Sequence, residues 1–526
     1  MSVVTFQLRG CETTVNNTLT GLGFVFGPSR TVTTNVLDTF DGRLHHGGLR
    51  LQLVESDDLE LVLSGEGTAP AHLVVKAAPS VRADFPPGPL RSRIAAVIDE
   101  RVLMQQLRVG TTRTIAARHD ASGKVVVTAE LFEKIHVVDP ADVDRKDVDR
   151  KDVDRNSVDW PEATVELHEV PGYRKQTLRA RAALRKAGVP ECATDTLTQC
   201  AAAAGVDLGG FTAAATVALD PQMPAIDGFR LVLSNLAEAI VANWQGTVDH
   251  ADPEFLHDLR IAVRRTRTIL SEAKAVLPAA VLEPAKDGFA WLGGLTGEPR
   301  DLDVYLLEWS RYTDPLGSDV VPSLEPVRYL LERRRSAGHL GLERGLRSER
   351  AIELIDTWSA WLRGPVGSEE LPRHARRPLG RLVARRIAHA HGTLVDGGRL
   401  VGPDTPAEQI HELRKDAKKL RYLLECFGSL LHAGACKHYV KRLKALQDNL
   451  GEHQDAEVHV SMLHAIAREF HDAGAAPDTM AAIAELTDRL DRKRLAARAE
   501  FAERFAEYDT PGVQQALDTV LEGITV

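Results

Sequence analysis

Along residues 222–520 apolar side chains recur every three to four positions, the spacing of helices with one buried face. The pattern predicts helices over 227–243, 253–275, 285–293, 301–311, 324–335, 351–362, 379–394, 406–430, 435–450, 455–473 and 478–508, separated by turns rich in Gly and Pro. Such short connections make sequential helices antiparallel neighbours, so each half of this region should form a bundle of about four helices with extensions. Residues 1–205 follow a different rule. Apolar and polar positions alternate at 31–37, 49–54, 59–63, 112–118, 124–129 and 164–170, the mark of half-buried strands, with helical patterns at about 90–106 and 174–187. Gly209-Gly210, Asp220-Pro221 and Met223-Pro224 punctuate a linker at 206–221. The expectation is an α+β N-terminal domain built on an antiparallel, barrel-like sheet, then an all-α domain of two pseudo-symmetric helical bundles, at 222–365 and 376–520.

Two of the helical windows carry a second pattern. His257-Asp258-Leu259-Arg260 continues to Arg264, Arg265 and Arg267, and His411-Glu412-Leu413-Arg414 continues to Lys418, Lys419 and Arg421. At about 100° per residue, His257, Arg260, Arg264 and Arg267 fall within a stripe roughly 80° wide. Leu256, Leu259, Val263 and Leu270 cluster beside that stripe, not opposite it, so the cations sit at the rim of the buried face. Like charges at these spacings repel and cost a helix a few tenths of a kcal/mol per pair. They call for a counter-anion, either acids of neighbouring helices or a bound ligand.

The repeat extends past the stripe. Gly297-Glu298-Pro299-Arg300-Asp301 answers to Gly451-Glu452-His453-Gln454-Asp455, and the histidines at 257 and 411 and the glycines at 297 and 451 are each 154 residues apart. Two units of similar size therefore follow one another. Asp301 and Asp455 read most simply as first-turn acids of the helices after those glycines. Metal chelation by His257 and His411 with these aspartates is the sharper alternative, but the surrounding guanidiniums would repel a divalent cation.

Composition narrows the picture. The 526 residues suit two or three domains, and a net charge of −9 argues against coating nucleic acid through overall charge, so a polyanion must be met locally. Five scattered cysteines show no paired metal spacing and no disulfide framework, as expected of a reducing cytoplasm. Neither an export leader nor an apolar run long enough to span a membrane is evident. The repetitive insert at 142–155, with Asp142-Val143-Asp144-Arg145 recurring, reads as a charged surface loop.

Leu37-Asp38-Thr39-Phe40-Asp41-Gly42-Arg43-Leu44 and Gly48-Leu49-Arg50-Leu51, with Arg113, Glu130-Leu131-Phe132-Glu133 and Val165-Glu166-Leu167, resemble the CYTH family of triphosphate tunnel proteins. That resemblance implies a barrel lined by Arg and Lys in which glutamates hold a divalent metal. The family's E-x-E-x-K strand, however, is here Thr5-Phe6-Gln7-Leu8-Arg9, and Gln52 and Thr164 stand at further expected charged positions. Metal-assisted phosphoryl chemistry needs clustered carboxylates, so a degenerate, non-catalytic domain is expected.

The two stripes and the two Gly-Glu-x-x-Asp segments resemble the CHAD family over roughly 222–520. The resemblance implies two bundles that clasp inorganic polyphosphate in a basic groove, often beside a CYTH domain. The residue types agree with this. A linear chain of phosphates asks for cations in a row, arginine forks and lysine point charges supply them, and nucleic-acid grooves interleave aromatics, whereas here Tyr422 alone adjoins a stripe. The expected contacts are His257, Arg260, Arg264, Arg265, Arg267, His411, Arg414, Lys418, Lys419 and Arg421, with Arg381, Arg385, Lys441 and Lys444 as possible extensions. No cofactor or metal is implied, and nucleic acid and membranes are not expected partners. A cytoplasmic polyphosphate-binding protein, associated with polyphosphate granules, is the leading reading. A CYTH-type, metal-dependent inorganic triphosphatase that captures substrate with its helical domain is the alternative.

Overall fold

The computed structural model describes residues 3–8, 10–65, 68–138, 157–159, 163–211, 217–365, 371–402, 404–522 and 524. The insert at 142–155 and Arg9 lie outside the described residues. The chain divides into two compact units, Met1–Thr212 and Ala213–Val526.

In the first unit the alternating segments form one antiparallel sheet. Its strands are β1 (Val3–Gln7), β2 (Phe24–Phe26), β3 (Arg30–Thr39), β4 (Leu49–Glu55), β5 (Leu59–Gly65), β6 (Thr68–Val74), β7 (Leu103–His119), β8 (Val125–Val138), β9 (Ser157–Asp159) and β10 (Thr164–Glu169). The order is β1-β10-β8-β7-β3-β4-β5-β6, with β2 added to β7 and β9 to β8. A barrel-like closure was expected, yet the sheet is open. The outer edge of β1 bonds to a segment of the same unit, through Gln7 N–H to Pro190 O at 2.9 Å and Cys192 N–H to the Thr5 carbonyl at 2.8 Å, so its backbone is satisfied without β6.

Among the described residues the α-helices of this unit are α1 (Glu12–Gly21), α2 (Arg43–His46), α3 (Pro89–Ile98), α4 (Arg174–Lys186) and α5 (Thr196–Ala203). The helix expected over 90–106 stops at Ile98, where Asp99 takes a left-handed φ of 54°. Leu103 and Leu107, four apart, fit a helix as well as a strand, and they are buried as part of β7. Separate apolar clusters form where α1 and α4 cover β1, β8 and β10, where α2 and α3 cover β3 to β5, and where Cys200 and Ala201 of α5 meet Val36, Leu107, Val109, Ile135 and Val137.

The second unit is helical. Repeat one comprises α6 (Ala225–Val248), α7 (Pro253–Glu272), α8 (Ala279–Leu295), α9 (Gly297–Leu307), α10 (Trp309–Thr313), α11 (Glu325–Leu346) and α12 (Glu349–Arg363). Repeat two comprises α13 (Leu379–Arg399), α14 (Ala407–Cys426), α15 (Ala433–Asp472), α16 (Pro477–Tyr508) and α17 (Pro511–Glu522). Their pseudo-symmetry shows in backbone bonds. Ala225 N–H donates to Arg377 O and Leu379 N–H to Met223 O, both at 2.9 Å, and these are the same bond in two copies 154 residues apart.

The turn expected between 293 and 301 shrinks to the single residue Thr296, and the one expected after 450 is absent. α8 and α9 meet at Thr296, whose φ of −83° and ψ of −5° remain near helical, and α15 runs unbroken for 40 residues through Gly451. Pro299 accounts for the difference. It lacks an N–H and its ring crowds the carbonyl four residues back, which interrupts the helix at 295–296. Its counterpart, His453, has no such defect, so the second copy continues.

Candidate functional site

α7 and α14 carry the two basic stripes, and each begins at a residue suited to it. Asp252 caps α7 by accepting from the N–H groups of Glu254 and Phe255, and Pro253 fills the first helical position. In α14, Ile410, Leu413, Ala417, Leu420 and Leu424 face the core. Burying those faces fixes where the stripes point. Arg265 of α7 reaches Glu425 of α14 at 2.6 Å, and Lys419 of α14 reaches the buried Glu272 of α7 at 2.5 Å. As the number rises along one helix it falls along the other, so α7 and α14 cross in opposite senses and are pinned on both sides of the crossing.

A cavity of about 830 Å³ opens between the repeats. His257, Arg260, Arg264 and Arg267 line it from α7, and His411, Arg414, Lys418 and Lys419 from α14. Two expected contacts are elsewhere. Arg265 and Arg421 do not line the cavity, because Glu425 takes both, Arg421 Nε lying 2.6 Å from Oε1. Arg381, Arg385, Lys441 and Lys444 are exposed away from it. The wall also includes Arg300, Asp301, Glu308, Tyr312, Gln454, Asp455 and His459. Arg300, Asp301, Gln454 and Asp455 belong to the repeated Gly-Glu segments, and that repeat was the signal for them. Tyr312 and His459 pack against Tyr305 and had no comparable signal.

Asp301 and Asp455 are not first-turn acids. Asp455 lies in the middle of α15 and Asp301 in the second turn of α9, and both enter the cavity wall. Asp455 sits 3.1 Å from Arg414, and Asp301 sits 3.7 Å from Arg260. His411 Nδ1 lies 2.9 Å from Gln454 Oε1. Among the described residues no three His, Cys, Asp or Glu side chains are grouped to hold a metal ion. Each of the two aspartates pairs with an arginine of its own repeat.

The balance of charge remains positive. Lys415 pairs with Glu412 at 2.9 Å, and Glu308 accepts from the Tyr312 hydroxyl at 2.6 Å. Arg264, Arg267 and Lys418 have no carboxylate within 4.0 Å among the described residues. Arg264 and Lys418 are counterparts, 154 apart. Burial, and then the charges of Arg264 and Arg414, push the Lys418 ammonium down to about 7. Burial and the neighbouring guanidiniums of Arg264 and Arg300 likewise press Arg260 below its ordinary value, against the pull of Asp301. Gly293 gives Arg267 its path, since a Cβ there would stand 2.8 Å from the guanidinium.

The residues that resemble a CYTH site are engaged internally. Arg50 donates to Asp195 at 2.7 Å and to the Thr198 hydroxyl at 2.9 Å, and Glu166 accepts the Thr196 N–H at 2.7 Å. All three partners belong to the first turn of α5 or its cap. Glu130 pairs with Arg113, and His168 lies 3.6 Å from both Glu130 and Glu166. Burial raises the Glu166 carboxyl above its ordinary value, against the lowering effect of His168.

Fold and site together define an antiparallel sheet domain followed by a two-repeat helical domain that encloses a cationic cavity. Residues 231–464 match the family model described as the CHAD domain, and the chain carries a CHAD domain over that span. An uncharacterised protein of Mycobacterium tuberculosis, represented in two strains, is 26% identical over 266 residues, 49% of this chain and 48% of its own length. The chain thus spans about half the length of the curated relatives it matches. Among solved structures, the CHAD domain of the plant Ricinus communis is 26% identical and covers 58% of this chain and 96% of its own, with a TM-score of 0.43. PptA from Streptomyces chartreusis is 20% identical and covers 54% and 99%, with a TM-score of 0.41. A putative adenylate cyclase from Bacillus halodurans is 13% identical and covers 38% and 94%, with a TM-score of 0.26.

Proposed function

We propose that the helical unit binds inorganic polyphosphate in the cavity between its repeats, and that the protein does not cleave it. The observation that carries the reading is the set of cations, Arg264, Arg267 and Lys418, that have no carboxylate within 4.0 Å among the described residues and are held among further guanidiniums. Clustered like charges in a partly desolvated cavity destabilise the free protein, and a linear polyanion relieves them along their whole row. Two stripes meeting in one cavity suit a long thin ligand better than a compact one. Titration against polyphosphate, ATP and single-stranded RNA tests this. Polyphosphate should bind far more tightly than the other two at equal salt, and RNA binding of equal strength would refute the choice of ligand.

The triphosphatase reading is disfavoured by α5. Its N-terminal turn holds Arg50 and Glu166, the residues that would have to meet substrate and metal. The full chain given tripolyphosphate with Mg²⁺ or Mn²⁺ is expected to release no phosphate above a heat-killed control, and release above it would restore the enzyme. No helix among the described residues is long and apolar enough to cross a membrane. In the cell the protein is expected with polyphosphate granules.

A further inference from the structure

A second group of cations lies outside the cavity. Arg373, Arg376, Arg377, Arg381 and Arg385 gather at the start of α13, all exposed, and none has a carboxylate within 4.0 Å among the described residues. The pseudo-symmetry supplies an internal control. The equivalent positions 154 residues earlier, at the start of α6, are Leu219, Gln222, Met223, Asp227 and Leu231. The backbones correspond there, as the paired bonds Ala225 to Arg377 and Leu379 to Met223 show. One copy therefore begins with an ordinary first-turn acid, and the other replaces the whole set by arginine.

Among the described residues no acid pairs with that set. α13 has no acid in its first turn and carries Arg381 there, at the helix end where a positive charge is disfavoured. Burial of the His374 ring, and then the charges of Arg377, Arg373, Arg386 and Arg385, hold its imidazole below the ordinary value, which shows how closely these cations crowd. Arg386 shows the contrasting structural use. It lies 3.2 Å from Glu272 and donates to the Lys274 carbonyl. Glu272 also holds Lys419, and Lys419 lines the cavity, so a single carboxylate joins the cavity wall to the arginine cluster.

We infer that the arginines at the start of α13 form a shelf that receives the outgoing segment of a polyphosphate chain too long for the cavity. The inference rests on the proposed polyphosphate binding, and it adds a dependence on chain length. A short phosphate occupies the cavity alone. A long chain engages both surfaces on one protein, so the second contact becomes intramolecular and strengthens the whole.

The test compares tripolyphosphate with long-chain polyphosphate on the full chain, wild type and a variant with all five shelf arginines changed to alanine. Tripolyphosphate affinity should be unchanged. Long-chain affinity should fall by about tenfold or more, and its log–log salt slope should shrink by about two to three units, by analogy with single-stranded nucleic acid. Unchanged long-chain binding would overturn the shelf, and so would an equal loss for both ligands. R381D, which restores the acid found at the equivalent position Asp227, should raise Tm by about 1–3 °C while weakening long-chain binding. A structural role for Arg381 would instead lower Tm. The underlying reading fails separately, if Arg264→Ala with Lys418→Ala leaves binding of both ligands intact. Binding of anionic vesicles or RNA that is lost in the shelf variant while polyphosphate binding stays intact would also overturn the proposal.

Discussion

Replacing Arg264 and Lys418 together by alanine is expected to lower polyphosphate affinity by about a hundredfold. Hydrogen bonds to charged groups contribute roughly 1.5–3 kcal/mol each, and partial exposure of both residues keeps the pair toward the lower part of the combined range. Among the described residues neither has a carboxylate within 4.0 Å whose loss of a partner would complicate the result. Arg260 and Arg414 would make poorer choices, since removing either strands Asp301 or Asp455 in the cavity wall. Arg265→Ala and Arg421→Ala serve as contrasts. Both arginines are held by Glu425 outside the cavity, so affinity should stay within about threefold of wild type. Titration calorimetry on the four proteins checks this, and a large loss in the Arg421 variant with none in the Arg264 and Lys418 variant would reverse the assignment.

The second expectation concerns pH. With Lys418 near 7 in the free protein, a phosphate chain beside it should restore the ammonium toward its ordinary value of 10.5, so binding at pH 8 takes up close to one proton. Affinity should therefore fall as pH rises above about 7, approaching tenfold per unit from this group, whose own contribution is flat below that value. The unliganded protein behaves in the opposite way. Its lysine binds fewer protons folded than unfolded between about 7 and 10.5, so stability rises with pH through that window and the penalty is complete below it. Lys418→Met keeps the volume and removes the charge. It should abolish the proton uptake, measured from binding heats in buffers of different ionisation enthalpy, and should raise Tm at pH 7. Uptake equal to wild type in that variant would assign the proton elsewhere.

Much of this site was legible in the sequence because one regularity repeats. The 154-residue spacing joined the two stripes and the two Gly-Glu segments, and the stripe's place beside the apolar face put it at a rim. What the spacing could not reveal was which cations the chain keeps for itself. Arg265 looks like Arg264 along the helix, yet Glu425, 160 residues away, pairs with Arg265, while Arg264 has no carboxylate within 4.0 Å among the described residues. The expected turn at 451 failed because a glycine in a packed helix need not end it, whereas Pro299 does interrupt the first copy. The barrel closure failed because the segment after α4 satisfies the edge of β1. α5 is not legible in the sequence for a related reason. Its eight residues have little helical signal of their own, and their burial comes from a sheet whose strands lie up to 165 residues earlier.

The most direct measurement is the salt dependence of long-chain polyphosphate binding, followed with stoichiometry, on wild type and on the single variant Arg264→Ala. One shared groove should give a log–log slope of several units in wild type. The variant should bind the same number of chains per protein, more weakly and with a slope smaller by about one unit. Affinity that ignores salt, or a variant that binds half as many chains with undiminished affinity, would contradict a single groove built by both repeats.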